Sequence, residues 1–218
     1  MIGNVSAKRV ENEIAHGNKL SENDPELVWG WSTPAGKRRA QRRARLIAGQ
    51  AGLRPGHRAL EIGCGTGLFT QMFADYGAQL VALDISSAML EKARLRGLDP
   101  GQVELIEGCV EEYNEGITFD AVVGSSVLHH LEVEDALRNI LDLLRPGGKL
   151  SLAEPNMLNP QVYAERKLRF LPFFWNVSPD EIAFVRWRLR AMMMRVGFES
   201  VSIQPFDWLH PATPGHLL

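Results

Sequence analysis

The sequence predicts an α/β fold, a doubly wound and mostly parallel sheet with helices on both faces. Three observations carry this. Short apolar runs alternate with amphipathic stretches from residue 59 onward, glycines cluster where the first run meets the next helix, and an acid closes the second run. Parallel strands need long crossovers, and the crossovers cover the faces of the sheet. The 218 residues are 45% hydrophobic and 23% charged, enough for one sizeable core and a small appended lid.

Along the chain, the first 35 residues place Pro25 and Pro34 around Trp29 and Trp31 and predict an irregular arm. Residues 36–45 read GKRRAQRRAR, six basic residues without an acid, and the chain then turns apolar at Leu46, Ile47, Ala48 and Ala51. Good helix formers dominate, so 36–51 is expected to be a basic helix stopped by Gly52 and Pro55. Strands are expected at 59–62, 79–83, 103–106, 119–123 and 149–153, with helices at 67–76, 86–96 and 133–144. In the last of these, Ala136, Leu137, Ile140, Leu141 and Leu144 recur at helical steps before Pro146, Gly147 and Gly148 intervene. Residues 156–178, with Tyr163, Phe170, Phe173, Phe174 and Trp175, read as an aromatic insertion. A helix is expected from Pro179, capped by Ser178, and a sixth strand at 201–206.

The most informative stretch is Leu60-Glu61-Ile62-Gly63-Cys64-Gly65-Thr66-Gly67 at the strand-to-helix turn, followed by Asp84 at the end of the second strand. Glycines let backbone approach a ligand closely, and open α/β sheets bind ligands beyond the carboxyl ends of their strands. A nucleoside cofactor is the natural ligand. The dinucleotide spacing Gly-x-Gly-x-x-Gly needs glycine where Leu68 stands, and the Gly-Lys-Ser/Thr of a phosphate loop is missing. Neither NAD nor ATP fits well.

The glycine run resembles the first motif, Glu-x-Gly-x-Gly-x-Gly, of the class I S-adenosylmethionine-dependent methyltransferases of small-molecule type, with a core like that of the ubiquinone/menaquinone enzymes. The likeness spans about residues 56–153. It continues in Leu83-Asp84-Ile85-Ser86 with Met89, in Phe119-Asp120-Ala121-Val122-Val123, in Val127-Leu128-His129-His130-Leu131 and in Leu144-Arg145-Pro146-Gly147-Gly148. It implies a Rossmann-like sheet of strand order 3-2-1-4-5-(7)-6. Here the seventh strand is expected to be missing or irregular, because Pro211 and Pro214 disfavour it, leaving an open edge suited to self-association.

The resemblance also implies roles, with S-adenosyl-L-methionine as donor and S-adenosyl-L-homocysteine as product. Gly63, Gly65 and Gly67 would pass beneath the methionine part, Cys64 and Cys109 would border the cofactor, and Glu61 would fix the loop and the cofactor's amino end. Asp84 would accept from both ribose hydroxyls, Ile85 and Met89 would line the adenine, and Ser125 would lie near the methionine amine. Many members place an acid after strand three for the adenine amino group; Cys109 stands there, and a thiol accepts poorly. The backbone around Val110, or Glu111 or Glu112 from a shifted loop, is left for that task. The competing reading makes Glu104, Glu107, Glu111, Glu112 and Glu115 a solvated acidic edge.

Methyl transfer from a sulfonium is an in-line displacement, helped chiefly by holding donor and acceptor collinear in a water-excluding site. An amine or alcohol acceptor must shed a proton, and His129 and His130, after strand four, are the candidate bases; packing within that segment is the alternative. Trp29 and Trp31 of the arm, Glu154 and Asn156 after strand five, and Tyr163 of the insertion are candidate acceptor contacts. The expected organisation is therefore an N-terminal arm and basic helix (1–52) capping the cleft of a domain at 53–218, with 156–178 as a substrate lid. The cations of 37–45 read either as a site for an anionic group or as a solvated helix face.

Several classes are excluded or weakened. Twenty-four basic against 26 acidic residues give a formal charge of −2, so no nucleic-acid partner is expected. Apolar runs fall well short of the roughly 18 residues of a membrane span, and no signal-peptide stretch is evident, which points to the cytoplasm and against integral membrane association. The two cysteines, Cys64 and Cys109, match no zinc-ligand spacing, so no metal is expected. The leading expectation is methyl transfer to an oxygen, nitrogen or carbon of a small molecule. The alternatives are a non-catalytic nucleoside-binding module and, further off, a nicotinamide oxidoreductase.

Overall fold

Five parallel strands, β1 (Arg58–Ile62), β2 (Gln79–Asp84), β3 (Val103–Glu107), β4 (Phe119–Ser125) and β5 (Leu144–Ala153), form one sheet in the order β3-β2-β1-β4-β5. The computed structural model describes residues 7–160, 162–163, 184–207 and 213–215. Between the strands lie α4 (Leu68–Ala74), α5 (Ser87–Arg94) and α6 (Val133–Leu143); α1 (Ala7–Ser21), α2 (Pro25–Val28) and α3 (Pro34–Ala51) precede the sheet, and α7 (Arg186–Val196) follows it. The order reverses at β1, so its carboxyl end, where the glycines sit, is the crevice in which such sheets bind ligands.

Successive residues of a strand face opposite sides of a sheet, and here the two sides differ in size. Ala59, Ala82, Ala121 and Ala153 pack with α3, α4 and Leu90, whereas Leu60, Ile62, Val81, Leu83 and Val122 pack with α6 and Leu189 of α7. The small residues let α3 and α4 lie close to the sheet. Thr33 caps α3, its hydroxyl accepting from the Gly36 N–H at 2.9 Å, and Gly52 ends it at φ +72°. Among the described residues no helix is long and apolar enough to cross a membrane.

The structure corrects the sequence reading at three places. The arm is not irregular, since α1 and α2 occupy most of it. Its buried stripe is Arg9, Glu13 and Gly17, one residue per turn, so the helix hides its period behind charged side chains that are paired inside. The start of the helix expected from Pro179 falls outside the described residues; a helix runs over Arg186–Val196, after the bridge between Phe184 and Asn156. Residues 178–183 themselves, like most of the 156–178 insertion, lie outside the described residues. The sixth strand is not formed: residues 201–207 pair with no strand. Arg190 Nε takes the Val201 carbonyl at 3.2 Å, and Pro205 has no N–H to offer a ladder. Finally, Pro146 and the two glycines after it do not separate helix from strand but lie inside β5, whose pairing with β4 shifts register between Phe119 and Ala121.

Candidate active site

The glycine loop leaves β1 with Gly63, Gly65 and Gly67 all at positive φ, +63°, +54° and +76°. At Gly63 a Cβ would also stand 2.4 Å from Val127 Cγ2, so no other residue fits. The loop curls toward the end of β2, where Asp84 Oδ2 accepts from the Gly65 N–H at 2.7 Å and Oδ1 from the Ser86 N–H at 2.9 Å. Burial raises the Asp84 pKa, and those two backbone donors oppose the shift. Each oxygen keeps a free lone pair for a further donor.

Beside the loop, Glu61 is fully buried, and its Oε2 has no hydrogen-bond partner among the described residues. Burial pushes its carboxyl up from the ordinary 4.5 to about 8, against the neighbouring Thr70 hydroxyl and with the Asp84 charge adding to the rise. A consequence for stability follows from the sign. Unfolded Glu61 loses its proton near 4.5 while the folded group keeps it to about 8, so in that window the native state holds the extra proton and stability falls as pH rises, by up to about 1.4 kcal/mol per unit. Glu61→Gln is expected to flatten this part of the profile, as denaturant unfolding from pH 5 to 8 would measure. A slope identical in both proteins would contradict it.

On the other side of β1, the segment after β4 is held from below by Glu154. Its Oε1 accepts from the N–H groups of Val127 and Leu128 at 3.0 and 2.9 Å, and its Oε2 meets His129 Nδ1 at 2.7 Å. Burial opposes ionisation, yet the His129 contact and the two N–H donors outweigh it and hold the Glu154 carboxyl below its usual range. His129 is buried; His130 is half-exposed, its ring centroid 4.1 Å from that of His129 and its Nδ1 2.9 Å from Glu13 Oε2.

The N-terminal helices roof this ground. Arg9 of α1 pairs with Glu111 and donates to the His130 carbonyl, Glu13 meets His130, and a Cβ on Gly17 would lie 2.9 Å from Ser86 Oγ. Helix α1 thus touches the segments that follow β4, β3 and β2. From α2, Glu26 pairs with Arg96 and accepts from Thr66 at 3.1 Å, which ties the roof to the glycine loop.

The candidate residues fall into two groups. Glu61, Gly63, Gly65, Gly67, Asp84, Ser125, His129 and His130 converge on the carboxyl ends of β1, β2 and β4. Trp29 joins them, its ring tip 3.7 Å from a Cβ built on Gly65, and Met89 is buried beneath α1 near Gly17. Ile85 follows Asp84 and is half-buried. Glu154 faces inward and commits its oxygens to the 127–129 segment. Trp31 packs edge-on against Phe69 at 5.6 Å under the guanidiniums of Arg39 and Arg43. Val110 is core, Asn156 accepts from the Leu158 N–H, and Tyr163 is exposed.

Around the Cys109 slot the acidic edge is not uniformly solvated. Glu111 is buried between Arg9 and Cys109, whose thiol donates to it at 2.7 Å. Burial and Glu111 push the Cys109 thiol to about 12, and burial raises Cys64 likewise, so neither is a nucleophile at neutral pH. The basic helix is also not a simple solvated face. Arg43 points inward and donates to Ser125 Oγ at 3.1 Å and Ser126 Oγ at 2.8 Å. Sequence reasoning missed this contact; its signal was an arginine four residues from both Arg39 and Ile47, on the apolar side of the helix.

A family model for the methyltransferase domain matches residues 60–152. The chain is 32% identical over 176 residues to the ubiquinone/menaquinone biosynthesis C-methyltransferase UbiE of Ectopseudomonas mendocina, covering 70% of this chain and 69% of that one. To the ubiquinone biosynthesis O-methyltransferase of Xanthomonas axonopodis pv. citri it is 36% identical over 133 residues, 59% of this chain and 56% of the relative. The fold matches the N-methyltransferase NodS of Bradyrhizobium japonicum, solved with S-adenosyl-L-homocysteine, at a TM-score of 0.64 and 20% identity, over 84% of this chain and 85% of that one. The chain belongs to the class I S-adenosylmethionine-dependent methyltransferases. It is an enzyme of methyl transfer to a small-molecule acceptor, and the nicotinamide and non-catalytic alternatives give way to this assignment.

Proposed function

We propose that the crevice at the carboxyl ends of β1, β2 and β4 binds S-adenosylmethionine and that the acceptor enters beneath α1 and α2. The observation that carries this is a pair of acids beside one loop: buried Glu61, whose Oε2 has no hydrogen-bond partner among the described residues, and half-buried Asp84, whose two oxygens each keep a lone pair beyond the backbone N–H they accept from. A ribose diol and an ammonium are donors of the kind these groups lack. When bound, the sulfonium supplies the activated methyl group. Asp84 holds the ribose, the glycine loop lets main chain approach the methionine part, and Glu61 faces the amino end. The Cys109 slot leaves the Val110 backbone to meet the adenine. The roof formed by residues 7–52, together with 156–178 as lid, excludes water, and Trp29 offers an apolar face to the acceptor.

His130 is the better placed of the two candidate bases, because His129 is committed to Glu154. The acceptor atom is an oxygen, nitrogen or carbon, and a phenolic or enolic ring is supported by the names of the ubiquinone-pathway relatives. A cytoplasmic location, no metal, no nucleic-acid partner and self-association through the β5 edge complete the reading. The test is release of S-adenosylhomocysteine over a library of phenol, enol and amine acceptors. With a hydroxyl or amine acceptor, His130→Ala is expected to lower kcat by about 10²–10⁴-fold and remove the acid limb of the pH profile. A pH profile unchanged in shape would remove His130 as base.

A further inference from the structure

Helix α1 is seated on the domain by charge. Its fully buried positions, one per turn, are Arg9, Glu13 and Gly17, while the apolar Val10 and Ile14 beside them are only half-buried. An apolar stripe often docks a helix at least as firmly as buried ions, which must first offset their own desolvation. The charges of α1 therefore serve something besides docking, and both reach one residue. Arg9 donates to the His130 carbonyl, and Glu13 Oε2 lies 2.9 Å from His130 Nδ1. Main chain and ring of His130 are thus held together from the roof.

Each histidine of the pair has a carboxylate of its own. Glu154 of β5's end meets His129 Nδ1 at 2.7 Å, and Glu13 of α1 meets His130 Nδ1. The ring centroids lie 4.1 Å apart, so charge on either imidazole needs a counter-charge close by. The Glu13 side chain is 9% exposed and His130 Nδ1 is buried, which shields their contact from water. A carboxylate there keeps the ring proton on Nδ1, leaves the lone pair to Nε2 and favours the imidazolium once a second proton arrives. The other charges around the ring are Arg9 with its partners Glu111 and Glu132, and Asp84, where the His130 charge opposes the rise in pKa that burial imposes. That last coupling sets His130 beside the donor cleft. We propose that Glu13 is a positioning residue for methyl transfer: from α1 it fixes the His130 proton on Nδ1 and presents Nε2 as base to acceptors that carry a proton on the attacking oxygen or nitrogen. The inference rests on the reading of His130 as base. The acceptor's proton passes to Nε2 while its electron pair forms the bond to the methyl carbon, and the pair of the broken carbon–sulfur bond stays on sulfur. The imidazolium, balanced by Glu13, then returns its proton to water. The base is complete only while α1 covers the cleft, so proton acceptance and exclusion of water are joined in one helix.

The deciding measurement needs neither donor nor acceptor. Imidazole nitrogen NMR of the unloaded protein is followed across the neutral pH range in wild type, Glu13→Gln and Glu13→Leu, with His130→Ala to identify the signal. The neutral wild-type ring is expected to carry its proton on Nδ1, and the His130 imidazolium is expected to be lost at lower pH in both Glu13 variants than in wild type, because each lacks the carboxylate charge. A neutral wild-type ring protonated on Nε2 would overturn the proposal without any variant having to fold, and so would a His130 titration that ignores both substitutions. In turnover with a phenol or amine, Glu13→Leu is expected to lower kcat by about tenfold or more with little change in KM, and Glu13→Gln to move the acid limb of the profile to lower pH. The two failures are distinguishable. A ring titration indifferent to Glu13 overturns the positioning role and leaves the base reading standing, whereas a pH profile indifferent to His130→Ala overturns the base reading and the role built on it.

Discussion

Replacing Glu154 with alanine is expected to cost about 3–5 kcal/mol of stability, the range for removing one partner of a buried charged pair. Three donors lose their acceptor at once: the Val127 and Leu128 N–H groups and His129 Nδ1. None can turn to water, because Glu154 and His129 lie inside the protein. Glu154→Gln keeps one oxygen for the backbone pair but presents its amide to His129, so it should recover part of the loss. Because the folded carboxyl is held below its ordinary 4.5, the stability it supplies is present above that pH and is lost as the pH falls through the lower folded value. Wild type and Glu154→Ala should therefore converge in acid, as thermal unfolding from pH 7 to 3 would show. Glu154 acts on the chemistry as a positioning residue, since it fixes the segment that carries His130. An alanine variant as stable as wild type would show that the 127–130 segment needs no such support.

The second large effect is on binding. Asp84→Ala is expected to weaken S-adenosylhomocysteine by about 2 kcal/mol, roughly 30-fold, as charge-assisted hydrogen bonds are lost. The substitution also frees the Gly65 N–H, so part of any loss could come from the loop. A cycle with the 2′,3′-dideoxy nucleoside separates these contributions. Removal of the hydroxyls should weaken binding to wild type by about the same factor and leave Asp84→Ala nearly unaffected, because the two changes delete one interaction. Fully additive effects would place the ribose elsewhere.

The parts of this architecture that were legible in sequence are those whose physics is local. Three glycines in a strand-to-helix turn require positive φ whatever surrounds them, and Asp84 follows within one crossover, so the cleft could be located from the chain alone. Short apolar runs between amphipathic stretches marked the strands. What escaped was long-range pairing of charge. The arm looked irregular from its prolines and tryptophans, because the partners that Arg9 and Glu13 of α1 find inside, Glu111 and His130, lie about a hundred residues on. Arg43 was hidden in a basic run for the same reason, its serines 82 and 83 positions away. The sixth strand failed in the opposite direction, since Val201 and Ile203 alternate correctly while a side chain from α7 takes the carbonyl that a neighbouring strand would need.

A crystal structure of the protein grown with S-adenosylhomocysteine tests the central claim most directly. The account predicts the nucleoside along the carboxyl ends of β2 and β1, both ribose hydroxyls on Asp84 and the homocysteine chain over Gly63 and Gly65. Density for it anywhere else, with Asp84 bonded only to Gly65 and Ser86, would contradict the account.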